Sequence, residues 1–267
     1  MLHYIIFFII ALVPCIIGSI SGIGGGIIIK PVLDMVSGNG LFGPEEINFL
    51  SGCTVLAMSF VSLLRSRKTG VRLEGGIGFS LASGAVAGGL FGKMLFSFAV
   101  MSVNKNLVTA IQSSILIIMT GLVVLYIRKK DSVTKKNICY LPFCVVLGLC
   151  MGLVSAFLGI GGGPINMMVL SYFLSMDTKT SALHSLFIIF LSQLASFILT
   201  VGTDIPPVPL SSLFTMIAGG VMGAFIGSRI VKHLRNEQVD RLFNMLMLVV
   251  IALCVFNLMK SASGLAG

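Results

Sequence analysis

Long apolar runs alternate with short polar connectors along the whole chain. Stretches near 20 residues recur, Leu107–Ile127 and Leu242–Met259 among them. As a helix, a run of that length crosses a hydrocarbon core ~30 Å thick. The pattern predicts segments at about 2–21, 27–37, 46–65, 74–97 and 106–127, then at about 138–158, 164–175, 179–201, 209–230 and 240–260. The expected fold is an all-α polytopic membrane protein with eight to ten hydrophobic helical segments, depending on whether the two short ones cross fully. Residues 1–20 lack a basic leading region and a small-residue cleavage site, so they are expected to be a retained membrane segment, not a signal peptide.

Self-similarity organises these segments. Gly22–Gly26 and Gly159–Gly163 both spell GIGGG, 137 positions apart, and Gly84, Gly88 and Gly92 recur as Gly219, Gly223 and Gly227, 135 apart. Two independent motifs at nearly one offset indicate a duplicated chain. They divide it into a first membrane repeat (1–127), a basic linker (128–137) and a second membrane repeat (138–267). In each repeat an apolar segment runs into GIGGG, where glycine favours a break because it gains least from being helical. Pro164 follows the second motif at a position suited to a first helical turn.

Charge then orients the segments. Of 18 Lys and Arg, 13 fall in Arg65–Arg72, Arg128–Lys136 and Arg229–Arg241, as the positive-inside rule produces. The second repeat's equivalent of the connector Arg65–Arg72 is Gly202–Pro209, which holds Asp204 and no cation. Its basic cluster comes one connector later. The repeats are therefore expected to be inverted across a cell membrane, with the linker cytoplasmic and both termini outside. Lys93 and Lys105, flanking an outer loop, run against the rule. Inverted repeats with broken helices are a recurrent plan among secondary transporters.

Composition agrees. The chain is 56% hydrophobic and 10% charged, against roughly 25% charged for a soluble domain. The net charge of +9 lies in connectors, which suits anionic lipid contact and not nucleic acid. The six cysteines form no C-x-x-C pair and read as packing residues, with no disulfide, metal or cofactor expected. No P-loop, dinucleotide fingerprint or H-E-x-x-H string is present, and hydrolytic chemistry finds no embedded Ser–His–Asp order.

The residues left over suit an anion. The backbone amides of Gly24, Gly25, Gly26, Gly161, Gly162 and Gly163 can face a ligand unobstructed, at the positive end of the following helix; alternatively the glycines only permit sharp breaks. Lys30 either attracts the anion, pairs with Asp34 one turn on, or snorkels. Ser21, Thr54, Asn166, His184 and Ser185 supply polar groups beside the motifs. His184 either shuttles protons or makes a helix-to-helix hydrogen bond. The glycines spaced by four in segments 74–97 and 209–230 read as packing faces.

The twin GIGGG motifs, the apolar segments they open (through Pro31–Leu33 and Val169–Leu170), the Gly-rich fourth segments and the basic linker together resemble the TauE/SafE family of membrane permeases over nearly the entire chain. That resemblance implies export of a small sulfur oxyanion such as sulfite, or of an organosulfonate. Met168 stands where the first copy has Pro31, a departure within the second motif. A passive anion channel, or a membrane scaffold whose glycines only pack helices, are the alternatives; a homodimer is open.

Overall fold

The computed structural model describes residues 2–36, 42–66, 75–102, 105–128, 140–203 and 205–266. Among these lie ten helices: α1 Leu2–Ser21, α2 Gly26–Val36, α3 Pro44–Ser66, α4 Gly75–Ser102, α5 Lys105–Arg128, α6 Leu141–Leu158, α7 Gly163–Phe173, α8 Thr178–Thr203, α9 Leu210–Ile230 and α10 Asn236–Ala266. All but α2 and α7 are long and apolar enough to cross a membrane, and no strand occurs among the described residues. The expected polytopic all-helical fold is the fold found. Most of the connectors Arg65–Arg72 and Arg128–Lys136, and also Asp204, lie outside the described residues.

Two helices begin earlier than hydropathy suggests, for one reason. Gln238 accepts the Arg235 N–H at 2.8 Å, and Glu46 accepts the Gly43 N–H at 2.5 Å. Both are side chains three residues into a helix reaching back to orphan amides. A polar first turn of that kind is invisible to an apolar window.

Both GIGGG strings break the helices. The chain leaves α1 at Ser21 and re-enters helix at Gly26; it leaves α6 at Leu158 and re-enters at Gly163. Gly159 caps α6 in the left-handed region (φ 65°), donating its N–H to the Ala156 carbonyl, and Pro164 stands in the first turn of α7. After the first break the chain folds back: Gly25 returns to within 2.7 Å (from the position of an added Cβ) of Cys15 Sγ. There Ile29 and Leu33 of α2 join one core with Phe7, Ala11 and Cys15 of α1.

The glycine faces bring helices into backbone contact. An added Cβ on Gly84 or Gly88 of α4 would stand 2.7 Å from the α6 amides of Leu149 and Leu153, respectively; on Gly219 or Gly223 of α9 it would meet the α1 carbonyls of Phe8 and Leu12 at 2.7 and 2.6 Å. The packing is reciprocal: α4 lies along α6 and α8, α9 lies along α1 and α3, and α5 pairs with α10. Replacing Gly88 by leucine is expected to destabilise the detergent-purified protein by the ~1–3 kcal/mol or more typical of overpacking. Gly121→Ala, inside α5 where nothing lies within 4 Å, is expected to raise the unfolding temperature slightly, by the ~0.5–1 kcal/mol that alanine gains over glycine in a helix interior.

Candidate functional site

The two glycine loops meet each other. A Cβ on Gly26 would stand 2.6 Å from the Ile160 carbonyl, and one on Gly163 would collide with the Ile23 carbonyl. Each motif thus presses its first helical glycine onto the isoleucine of the other. Val55 of α3 and Ile189 of α8 close over the pair, both facing Gly24 and Gly161: 3.7 and 3.3 Å from a Cβ on Gly24, 3.2 and 3.1 Å from one on Gly161. Gly24 and Gly161 have φ of 80° and 83°, a region that costs other residues roughly 1–2 kcal/mol.

The surroundings of the two loops differ. Beside the first, the Gly25 N–H points at Met58 Sδ, 3.4 Å away, with Cys15 close by. Beside the second the groups are polar. Gly162 packs on Ser155, whose Oγ lies 3.4 Å from that of Ser192. Asn166, in the first turn of α7, brings Oδ1 to 3.3 Å from the Cβ position of Gly162. Asn166 is fully buried, and neither its oxygen nor its nitrogen has a partner. The Oγ atoms of Ser51 and Ser185, Gln193 Nε2 and Asn48 Oδ1 are also buried and unpaired. A polar group left so costs about 1–3 kcal/mol. These residues all sit on α3, α7 and α8, the helices around the loops.

The residues expected from sequence fall into two groups. Asn166 and Ser185 keep unspent hydrogen-bonding capacity. Ser21 and Thr54 instead donate to their own helices, to the Ile17 and Leu50 carbonyls at 2.8 and 2.7 Å. A hydroxyl so engaged offers only lone pairs, which suit an anion poorly. His184 Nδ1 lies 3.0 Å from the Thr180 carbonyl, one turn back, and its ring faces Gly78 of α4. Lys30 is buried and reaches across the molecule, donating to Gln112 Oε1 at 2.7 Å and to the Leu158 carbonyl, the last of α6, at 2.6 Å. A cation there complements the negative end of α6. Lys30→Met is therefore expected to lower thermal stability, because both acceptors lose a charged donor.

Sequence reasoning passed over Asn48 and Ser155. Asn48 packs its side chain against Gly159, a long-range contact with no local signature. Ser155 meets Gly162 through its Cβ and Ser192 of α8 through its hydroxyl, contacts set by helix packing and not by local sequence. Cys15, Cys53 and Cys254 are buried and form no disulfide. No group of three or more His, Cys, Asp or Glu that could hold a metal occurs among the described residues.

Outward-facing side chains are strongly apolar: Met101 is 86% exposed and Phe79 73%. Apolar flanks, eight helices of crossing length and a set of polar groups buried in the interior define a polytopic integral membrane protein. The chain belongs to the sulfite exporter TauE/SafE family, a family of membrane transporters, whose model matches residues 6–254. It is also 28% identical over 231 residues to a probable membrane transporter protein of Haemophilus influenzae, covering 85% of this chain and 84% of that one. No solved structure matches.

Proposed function

We propose that this protein is a secondary transporter, an exporter in the cell membrane, of a small sulfur-containing anion such as sulfite or an organosulfonate. The anion sits at the second glycine loop, against the N-terminus of α7. The observation that carries this reading is Asn166: a buried carboxamide without a partner, one turn into a helix whose amides face the same loop. Helix N-termini with unobstructed glycine amides favour negative charge, and irregular backbone at membrane depth is tolerated where it is packed in protein or lines a cavity. Ser185, Ser51 and Gln193 supply further donors on α8 and α3.

The two repeats, inverted about the paired loops, move against each other to expose the anion to alternate sides. Reciprocal packing of α4 on α6 and of α9 on α1 supports the symmetry. The ends of α3 and α9 supports the orientation: the Arg65 and Arg229 guanidinium groups both lie against the Phe225 ring, 3.8 and 4.5 Å from its centroid. The leading residues of two basic clusters expected on the cytoplasmic side thus adjoin. Both termini then lie outside.

The test is counterflow in proteoliposomes preloaded with sulfite, sulfoacetate or thiosulfate, with sulfate and chloride as controls. Accelerated exchange of one sulfur anion is expected, saturating with concentration as a carrier does and a channel does not. Flux of every anion no faster than in empty liposomes would sink the proposal.

A further inference from the structure

On one side of the paired loops lies a cavity of about 190 Å³ lined by the ends of α1, α3, α8 and α9. Ser19, Ser62 and Ser228 line it, and Lys179 and Lys232 stand at its wall. A second cavity, of only about 20 Å³, lies between α3, α4, α6 and α8, with Asn48, Gln193 and Lys93 in its lining. The larger has room for a small oxyanion with part of its hydration shell; the smaller holds about one water.

The two are lined by corresponding positions of the duplicated chain. Ser62 and Ser66 of α3 in the larger correspond to Ser196 and Thr200 of α8 in the smaller. Ala182, Leu183 and Leu186 of α8 in the larger correspond to Asn48, Phe49 and Gly52 of α3 in the smaller. Every one of these pairs is 134 positions apart. Ser19 corresponds to Ala156 at the 137 offset of the glycine motifs, and Ser228 to Lys93 at the 135 offset of the glycine faces. One set of positions has therefore been used twice, at opposite ends of α3 and α8. The linings touch the loops on both sides: Gly22 abuts Ala182 in the first, and Gly159 abuts Asn48 in the second.

We propose that these cavities are the two vestibules of one anion pathway through the paired loops, and that the structure holds the Lys179–Lys232 vestibule open and the Lys93 vestibule shut. This rests on the transporter reading above. Each vestibule carries what a small oxyanion needs. The open one has two lysines and serine hydroxyls, with Ser19 and Ser62 hydrogen-bonded to each other at 2.9 Å. The shut one has Lys93, whose ammonium lies 5.4 Å from the Phe96 ring centroid, and two amides, Asn48 and Gln193, each with an atom lacking a partner. Where the open side has the short Ser228, the shut side has the long, buried Lys93 in its lining. An anion arriving through the open side passes the loops and is drawn to Lys93 as the far vestibule opens.

The experiment is thiol accessibility at one corresponding pair. Ser66→Cys and Thr200→Cys are each exposed to a charged, membrane-impermeant methanethiosulfonate, in right-side-out and inside-out vesicles, with the parent chain as background. Ser66→Cys is expected to react at least about tenfold faster, as a resting population near 10:1 requires, and only from the face bearing Lys179 and Lys232. Thr200→Cys is expected to react only from the opposite face. If either variant fails to fold, Lys179→Cys and Ser196→Cys report the same two vestibules. Equal rates, or labelling of both from one face, overturns the assignment. The measurement needs no substrate, so its failure is separable from that of the transporter reading: accessibility as expected with no anion flux keeps the pathway and removes the substrate class, while flux with equal accessibility keeps the transporter and removes the vestibules.

Discussion

Valine in place of Gly161 is expected to reduce anion exchange by on the order of a hundredfold, the scale of loss that a displacement near 1 Å causes in a preorganised site. Two physical effects act together. The φ of 83° lies where a residue with a Cβ is strained by roughly 1–2 kcal/mol, and more for a β-branched one. The new side chain would also project between Val55 and Ile189, whose atoms already stand 3.2 and 3.1 Å from the Cβ position. The loop must shift, and its amides shift with it. Gly24→Val is expected to act in the same direction, since Gly24 faces the same two residues. Neither change removes enough of a typical stability of ~5–15 kcal/mol to unfold the protein, so both variants are expected to elute from detergent as the parent does. Full flux in both would dissociate the loops from the anion.

What the sequence made legible is the part of the fold governed by period and by backbone freedom. Helix length follows from apolar run length, and each GIGGG breaks its helix for reasons internal to glycine. The close pairing of α4 with α6 and of α9 with α1 follows from the small-residue faces, although the partner of each face was not legible. Side-chain direction was the obscure part. Ser21 and Thr54 sit beside the motif yet turn back to their own carbonyls, a local option that serine and threonine always have in a helix and that residue type alone does not exclude. Lys30 was read against Asp34 and a ligand, because both are near in sequence or function. Its hydrogen-bonding partners, Gln112 and Leu158, come from α5 and α6 and are set by how distant helices dock. The difference between the polar and apolar loop environments was equally hidden: Met58 and Ser192 are 134 positions apart, and their equivalence needs the register of α3 on α8.

Replacing Asn166 by leucine is expected to raise thermal stability in detergent while abolishing measurable exchange, and the opposite signs decide what the residue is for. If the amide were structural, it would have a protein partner, and an apolar substitute would strand that partner and lower stability. Instead Oδ1 and Nδ2 are both buried without one. Leucine keeps the branched skeleton with bulkier methyl ends and removes two unsatisfied groups, each costing about 1–3 kcal/mol, so the summed relief should exceed the ~1–3 kcal/mol of strain that overpacking typically costs. An unmet cost of this kind persists in a protein when a ligand meets it in the working state. Ser185→Ala removes another unpaired donor at the loops and is expected to weaken exchange less, because a hydroxyl offers one donor where the amide offers two. A fall in the unfolding temperature of Asn166→Leu, with exchange retained, would place Asn166 in the packing and not in the site.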